Sequence, residues 1–163
     1  MADDQPPGSA ASEKPDSPRL LPPVYFLGTL AVMLELAYFL PLTIVVTPPA
    51  TYAGWALIAT GFVIVITVWW RFEQAETTIK PYEVSTRLLT EGPFRFSRNP
   101  IYSAMVLGLL GAGVVLGAAS AFLVIPVFIW LIRRKFIAVE EAMLEDAFGD
   151  DYRAYKSRVR RWL

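Results

Sequence analysis

Long uncharged blocks separated by short turns or charged connectors organise this chain. Leu20 to Val46 carries a single acid or base, Glu35, and exceeds the roughly 20 residues that a bilayer-crossing helix needs. Its Pro22-Pro23 predicts a helix beginning near Tyr25. Thr47-Pro48-Pro49-Ala50 is a short uncharged turn. The next span, Tyr52 to about Phe72, has Tyr52 and Trp55 at one end and Trp69-Trp70 at the other, the places that aromatic belts occupy at two membrane interfaces. Ile101 to Ile132 is uncharged for 32 residues, too long for one simple span and too short for two full ones. A hairpin resolves this, with a helix from about Ile101 to Leu116 and a turn at Gly117-Ala118-Ala119-Ser120. Its second helix starts near Ala121, tolerates a kink at Pro126 and continues through Arg133-Arg134-Lys135 to about Ala147. The fold class expected is all-α: an integral membrane protein of four transmembrane helices with a polar cytoplasmic loop and a C-terminal amphipathic helix.

The polar segments complete this layout. Residues 1–19 are rich in Pro, Ser, Ala and Asp and read as a disordered tail, leaving 20–163 as one membrane domain. A secretory signal is not expected, because the first apolar stretch runs well past the roughly 7–15 residues of a signal core. Arg71 to Pro100 is dense in charge and broken by Gly92-Pro93 and Asn99-Pro100, so it reads as a folded loop. Every Lys and Arg lies in the tail, this loop or the segment after Ile132. The positive-inside rule then makes both termini and the loop cytoplasmic.

Composition narrows the chemistry. The 163 residues are 55% hydrophobic and contain no His and no Cys, which removes imidazole bases, thiolate nucleophiles, disulfides and the usual zinc sites; no metal is expected. Fifteen Lys and Arg balance 15 Asp and Glu, so no electrostatic case for nucleic acid exists. Chemistry must come from carboxylates, tyrosines, arginines, lysines or a bound cofactor.

The second hairpin returns the helix bearing Glu140-Glu141 to the side of the membrane that holds Arg98-Asn99-Pro100-Ile101-Tyr102. Helical spacing groups Arg133, Phe136, Ile137, Glu140 and Leu144 on one face, with Glu141 one step around. A carboxylate there can accept hydrogen bonds from a diol such as a ribose or pair with an ammonium. Alternatively it makes a structural ion pair with Arg98 or Arg133.

The run Leu88-Leu89-Thr90-Glu91-Gly92-Pro93-Phe94-Arg95-Phe96-Ser97-Arg98-Asn99-Pro100-Ile101-Tyr102 is followed, after a hydrophobic hairpin, by Glu140-Glu141, Leu144, Phe148-Gly149, Tyr152, Tyr155, Val159 and Arg161-Trp162. Over roughly 77–163 this pattern resembles the isoprenylcysteine carboxyl methyltransferases and their phospholipid N-methyltransferase relatives; the first two spans resemble them only in hydropathy. The resemblance implies an integral membrane methyltransferase that takes S-adenosylmethionine as cofactor and a lipid-like or small apolar acceptor. It puts cofactor contacts on Thr86, Arg87, Leu88, Leu89, Phe94, Arg98, Asn99, Pro100, Ile101, Tyr102, Glu140 and Glu141. Tyr102 and Arg134 are the implied catalytic residues, and Glu35, Arg133 and Arg134 the implied substrate contacts. Two positions depart from the family pattern. Asn99 stands where eukaryotic members have His, and an amide cannot titrate near neutral pH. Phe136 stands where an Arg bears on substrate, a role that Arg133 or Arg134 can take a turn earlier.

Chemistry agrees with that implication in one respect: displacement at a sulfonium methyl depends on positioning and needs no protein nucleophile. Phe94 and Tyr102 can favour a sulfonium through cation–π attraction, on the order of 1 kcal/mol. Glu35, within a predicted span, should face protein and be hydrogen-bonded, for instance to Tyr38, or protonated. Gly111-Ala112-Gly113 lacks the preceding strand of a dinucleotide loop, whereas Gly113, Gly117 and Gly108 suit close helix packing. Tyr152, Tyr155, Val159 and Trp162 lie at helical spacing among basic residues, as in a helix resting on anionic headgroups that also caps the pocket. Two other functions remain open: an NADPH-dependent membrane reductase of the sterol reductase type, with Arg95, Arg98, Arg133 and Arg134 on the phosphates, and a non-catalytic scaffold.

Overall fold

The computed structural model describes residues 20–76 and 86–162; the expected disordered tail and the middle of the polar loop lie outside them. Among the described residues the chain is helical, with no strand longer than an isolated bridge. Its elements are α1 (Pro22–Phe39), α2 (Thr51–Gln74), a 3-10 turn (Gly92–Arg95), α3 (Pro100–Leu116), α4 (Ala119–Phe122), α5 (Ile125–Ile132), a π-helical turn (Arg133–Ile137) and α6 (Ala138–Arg158). Two helices, α1 with 18 residues and α2 with 24, are long and apolar enough to cross a bilayer. The apolar α3 is shorter, at 17 residues.

Helix α1 ends at Phe39, short of the expected Val46. Pro41 disfavours helical backbone at Leu40, and Leu42 takes φ 59°. The segment beyond is laced to the α3–α4 turn. Val45 and Val46 N–H donate to the Gly117 carbonyl at 2.8 and 3.2 Å, and Ala119 N–H donates to Thr43 O at 2.9 Å. Ser120 Oγ donates to Leu36 O at 3.1 Å. Non-helical backbone away from water needs such partners. Gly117 makes the turn possible: its φ is 71°, and a Cβ there would strike the Val46 carbonyl.

Helices α2 and α3 pack backbone to backbone. Gly54 lies against the Gly111 carbonyl and Val115, Gly111 against the Gly54 carbonyl and Ile58, and Gly61 against the Ala104 carbonyl. Gly54, Gly61 and Gly111 carry this contact, with the expected Gly108 adding its backbone nitrogen beside Gly61. Gly113 instead abuts the Phe122 ring.

The last hairpin helix is broken where a kink was expected. Pro126 has no N–H and its ring crowds the carbonyl four residues earlier, so α4 stops at Phe122 and α5 starts at Ile125. From Ile125 the helical path runs to Arg158, through the π-turn and a sharp bend at Gly149 (φ 49°, ψ −118°). Lys156 Nζ reaches Glu145 Oε2 at 3.1 Å. Eleven residues of straight helix span about 16 Å, so the bend folds the end of α6 back along itself.

Two packed clusters result. One joins Met33, Tyr102, Leu109, Phe128, Ile132 and Phe136; the other joins Val68, Phe94, Tyr152 and Tyr155. Outside them, Leu27, Phe62, Val63, Ile66, Leu123, Val127 and Trp130 are exposed, an apolar surface that lipid solvates better than water does.

Candidate active site

Pro100 opens α3, since its fixed φ suits a first helical turn and its missing N–H leaves no bond unmade. Tyr102 follows on the inner face, buried against Phe136 with ring centroids 6.3 Å apart. Its hydroxyl donates to Glu140 Oε1 at 2.5 Å, across 38 residues of sequence. Burial raises the Glu140 pKa above its ordinary 4.5; the Tyr102 hydrogen bond opposes that rise, and the neighbouring Glu141 adds to it.

Glu141, one residue on, turns into a different environment. Arg161 Nε donates to its Oε1 at 3.0 Å while Arg161 Nη2 holds Oε2. Arg98 Nη2 lies 3.4 Å from Oε1, both side chains less than a tenth exposed. Arg98 Nε and Nη1, and the Tyr152 hydroxyl, are buried and lack a hydrogen-bond partner among the described residues. Burial, with the Glu141 charge, pushes the Tyr152 phenol up to about 12, against the lowering effect of the charge and hydrogen-bonding reach of the neighbouring Arg98. Tyr155 donates to the Phe94 carbonyl at 2.7 Å, and burial likewise pushes its phenol up to about 12.

The chain end closes the corner. Helix α6 stops at Arg158 because Val159 is extended (φ −117°, ψ 135°). Arg98 N–H donates to Arg160 O at 2.9 Å. Ser97 Oγ and Asn99 Nδ2 both donate to Arg161 O, at 3.0 and 3.2 Å. Ser97 Oγ also accepts from Asn99 N–H at 3.1 Å and lies 3.1 Å from Ser103 Oγ. Asn99 thus uses its amide on the C-terminal backbone. Trp162 packs on the Tyr102 cluster.

Other expected residues divide. Leu88, Leu89 and Ile101 pack on the cluster containing Phe94, whose ring meets Phe72 edge-on at 5.9 Å. Thr86 and Arg87 are exposed. Arg133 and Arg134 are also exposed, with the Arg134 guanidinium 5.6 Å from the Trp130 ring centre. The expected face joining Arg133 to Phe136 and Glu140 is not formed, because a π-turn inserts a residue and rotates everything before it. Glu35 corrects a second expectation. It is exposed, bonded to neither Tyr38 nor another described side chain, and one turn from the early end of α1.

Sequence reasoning missed the parts of Arg161, Ser97 and Ser103, and set the C-terminal tyrosines on headgroups as well as over the pocket, where the structure buries them. Phe148-Gly149, a helix-ending signal, is the feature that marks this return. On the far side of the 3-10 turn, Arg71, Thr90, Glu91, Gly92, Arg95 and Phe96 line an open cleft of about 630 Å³, which contains none of the residues expected to hold S-adenosylmethionine or its acceptor.

Apolar helices thus bring an acidic helix beside an Arg-Asn-Pro corner. The chain belongs to the phospholipid methyltransferase family, whose model matches residues 49–151. Methyl transfer is the chemistry in the names of two relatives. Protein-S-isoprenylcysteine O-methyltransferase of Schizosaccharomyces pombe is 32% identical over 72 residues, 44% of this chain and 30% of that protein. Methanethiol S-methyltransferase 1 of Bradyrhizobium diazoefficiens is 31% identical over 111 residues, 67% of this chain and 38% of that protein. An uncharacterized protein of Haemophilus influenzae is 46% identical over 63 residues, 39% of this chain and 100% of its own length. The chain matches less than half the length of those two named methyltransferases. No solved structure matches it.

Proposed function

We propose that residues 20–163 form a single multi-pass membrane domain that transfers a methyl group from S-adenosylmethionine to a lipid-like or small apolar acceptor at the cytoplasmic face. The observation that carries this reading is the hydrogen bond from Tyr102 to Glu140, next in sequence to Glu141, whose partner Arg98 keeps buried donors Nε and Nη1 without a hydrogen-bond acceptor among the described residues. Such donors are costly unless a ligand satisfies them, and the carboxylate of an amino-acid-bearing nucleoside is a matching acceptor. Glu140 Oε2 suits a ribose hydroxyl, and Phe94, Asn99, Pro100, Ile101 and Tyr102 frame the adjoining wall. Thr86, Arg87, Leu88 and Leu89 border it from the loop. Glu141 acts on this pocket by fixing Arg98. When bound, the cofactor supplies a methyl group on a sulfonium, open to in-line displacement.

The protein's part is then to orient both partners and exclude water. Tyr102 holds Glu140, and the pair holds the proton that lies between them. Arg133 and Arg134, exposed where α5 leaves the apolar layer, meet an anionic acceptor as it arrives from the lipid, and Arg134 steadies it during transfer. Glu35 lies near the opposite end of α1 and is retained only as a contact for the acceptor's apolar tail. The relatives' names offer two acceptor types, the carboxylate of an isoprenylated cysteine and a small thiol.

Four membrane passes, through α1, α2, α3 and the broken α4–α5 path, place both termini with the loop on the basic, cytoplasmic side. The reductase alternative gains nothing from the geometry, since Arg95 lines the outer cleft, Arg98 is paired with Glu141 and Arg134 rests on Trp130. Calorimetric titration of purified protein in detergent with S-adenosylmethionine and with NADPH tests the reading. Binding of the first alone is expected; binding of NADPH alone, or of neither, rejects it. Incubating the protein with a lipid extract and methyl-labelled cofactor then identifies the acceptor.

A further inference from the structure

The cleft beside the 3-10 turn is unused by the methyl-transfer site, and we infer that it binds the phosphodiester of an anionic phospholipid from the surrounding leaflet. This rests on the membrane reading of α1 and α2, and adds to it a lipid held as a fixed companion of the protein rather than as methyl acceptor.

The position fits a headgroup. Arg71 stands in the last turn of α2, directly after Trp69 and Trp70, two exposed indoles at the end of the apolar run. Exposed Phe96 borders the same cleft. Aromatic side chains followed at once by arginine mark the depth at which acyl chains give way to phosphates. The bilayer surface on the cytoplasmic side is where anionic lipids concentrate.

The chemistry fits a phosphate. Arg71 and Arg95 both line one concavity, and guanidinium matches phosphate oxygens in a forked geometry. Arg71 Nε is buried and without a partner among the described residues. Gly92, at φ 61°, lets that nitrogen lie against the backbone; a Cβ there would come within 3.1 Å of it. Glu91 is the opposing charge, with Oε2 3.8 Å from Arg71 Nη1 and a side chain 82% exposed. So long and exposed a pair is weak, and a phosphate displaces it. None of the lining residues belongs to the packed cluster around Tyr102, and Phe94, between Pro93 and Arg95, turns inward instead.

The test uses the full chain, purified in neutral detergent and stripped of lipid. Binding of dioctanoyl phosphatidylglycerol is followed by native mass spectrometry and by the shift in thermal midpoint, beside dioctanoyl phosphatidylcholine and inorganic phosphate. Phosphatidylglycerol is expected to be retained and to raise the midpoint, with the other two weaker. Arg71→Gln with Arg95→Gln should lower its affinity about tenfold, the scale of losing charge-assisted contacts. Arg158→Gln, a basic site elsewhere on the surface, should leave it unchanged. Glu91→Gln removes the competing carboxylate and should tighten binding, a gain that misfolding cannot mimic. Equal retention by the double variant, an equal loss in Arg158→Gln, no gain in Glu91→Gln, or an equal response to inorganic phosphate overturns the inference. Failure of the membrane reading looks different: the wild-type chain would then be released from carbonate-washed membranes without detergent.

Discussion

Tyr102 and Glu140 share one hydrogen bond at 2.5 Å, and it ties the first turn of α3 to the first turn of α6. Tyr102 stands where the apolar stretch 101–132 begins and Glu140 just beyond where it ends, so the contact sits at the border of that stretch. A carboxylate held there by one phenol keeps its second oxygen for a ligand. That division of labour makes Glu140 testable apart from the fold.

Glu140→Gln is expected to weaken S-adenosylmethionine binding by at least about tenfold, while the thermal midpoint of the free protein stays the same or rises. The sign follows from burial, which lifts the folded-state pKa above 4.5. A raised carboxylate pKa gives stability that is fully present below the unfolded value and is lost as pH rises through the folded value. At neutral pH the wild-type chain therefore bears a desolvation penalty that the amide avoids. Calorimetry with a parallel melt reads both quantities, and a melt that collapses along with binding would make Glu140 structural.

Cofactor affinity of the wild-type protein should fall as pH is lowered through this raised pKa, because the neutral acid accepts hydrogen bonds less well. The fall should begin above the usual carboxylate range and be missing in Glu140→Gln. Tyr102→Phe removes a hydrogen bond that lowers the pKa, so it should move the fall to higher pH. Binding titrations across pH check all three curves.

Glu141→Ala should destabilise strongly, by about 3–5 kcal/mol, because it leaves Arg98 buried without its anion. Glu141→Gln should cost less and still loosen the chain end. Limited proteolysis is expected to cut near Gly149 or Val159 first in both variants. Resistance equal to wild type would show that the Arg161 clasp contributes nothing to closure.

Gly111→Ala should lower stability by about 1–3 kcal/mol, the scale of overpacking, since a Cβ there would lie 2.6 Å from the Gly54 carbonyl. Gly28→Ala meets nothing within 4 Å and should be neutral or mildly stabilising. Melts of the two variants in one detergent separate the effect of contact from that of helix propensity.

Glu35→Gln should leave cofactor affinity unchanged, because the residue is exposed on α1 and far along its axis from Tyr25, which packs on Phe136. A loss of affinity equal to that of Glu140→Gln would place the residue in the nucleoside pocket and refute this geometry.

The apolar blocks were legible in the sequence because a span announces itself by length alone. Helix α2 runs over Thr51–Gln74 against an expected Tyr52 to Phe72, and α3 ends at Leu116 as its Gly117 requires. Breaks set by proline were legible as positions but not as outcomes: Pro41 ended a helix, and Pro126 split one. The juxtaposition of Tyr102 with Glu140 followed from chain parity. The partner of Glu141 did not, since Arg161 reaches it only after the Gly149 bend and the extended Val159. No local pattern encodes a π-turn either, and that single inserted residue removed Arg133 from the face it shares with Glu140 in a regular helix.

The lacing of Thr43, Val45 and Val46 to Gly117 and Ala119 stoppers the bundle at the end remote from Glu140. On the proposed topology the pocket is a blind alley: a spent nucleoside must leave by the doorway through which its parent came. Its traffic would then never breach the barrier in which the protein sits.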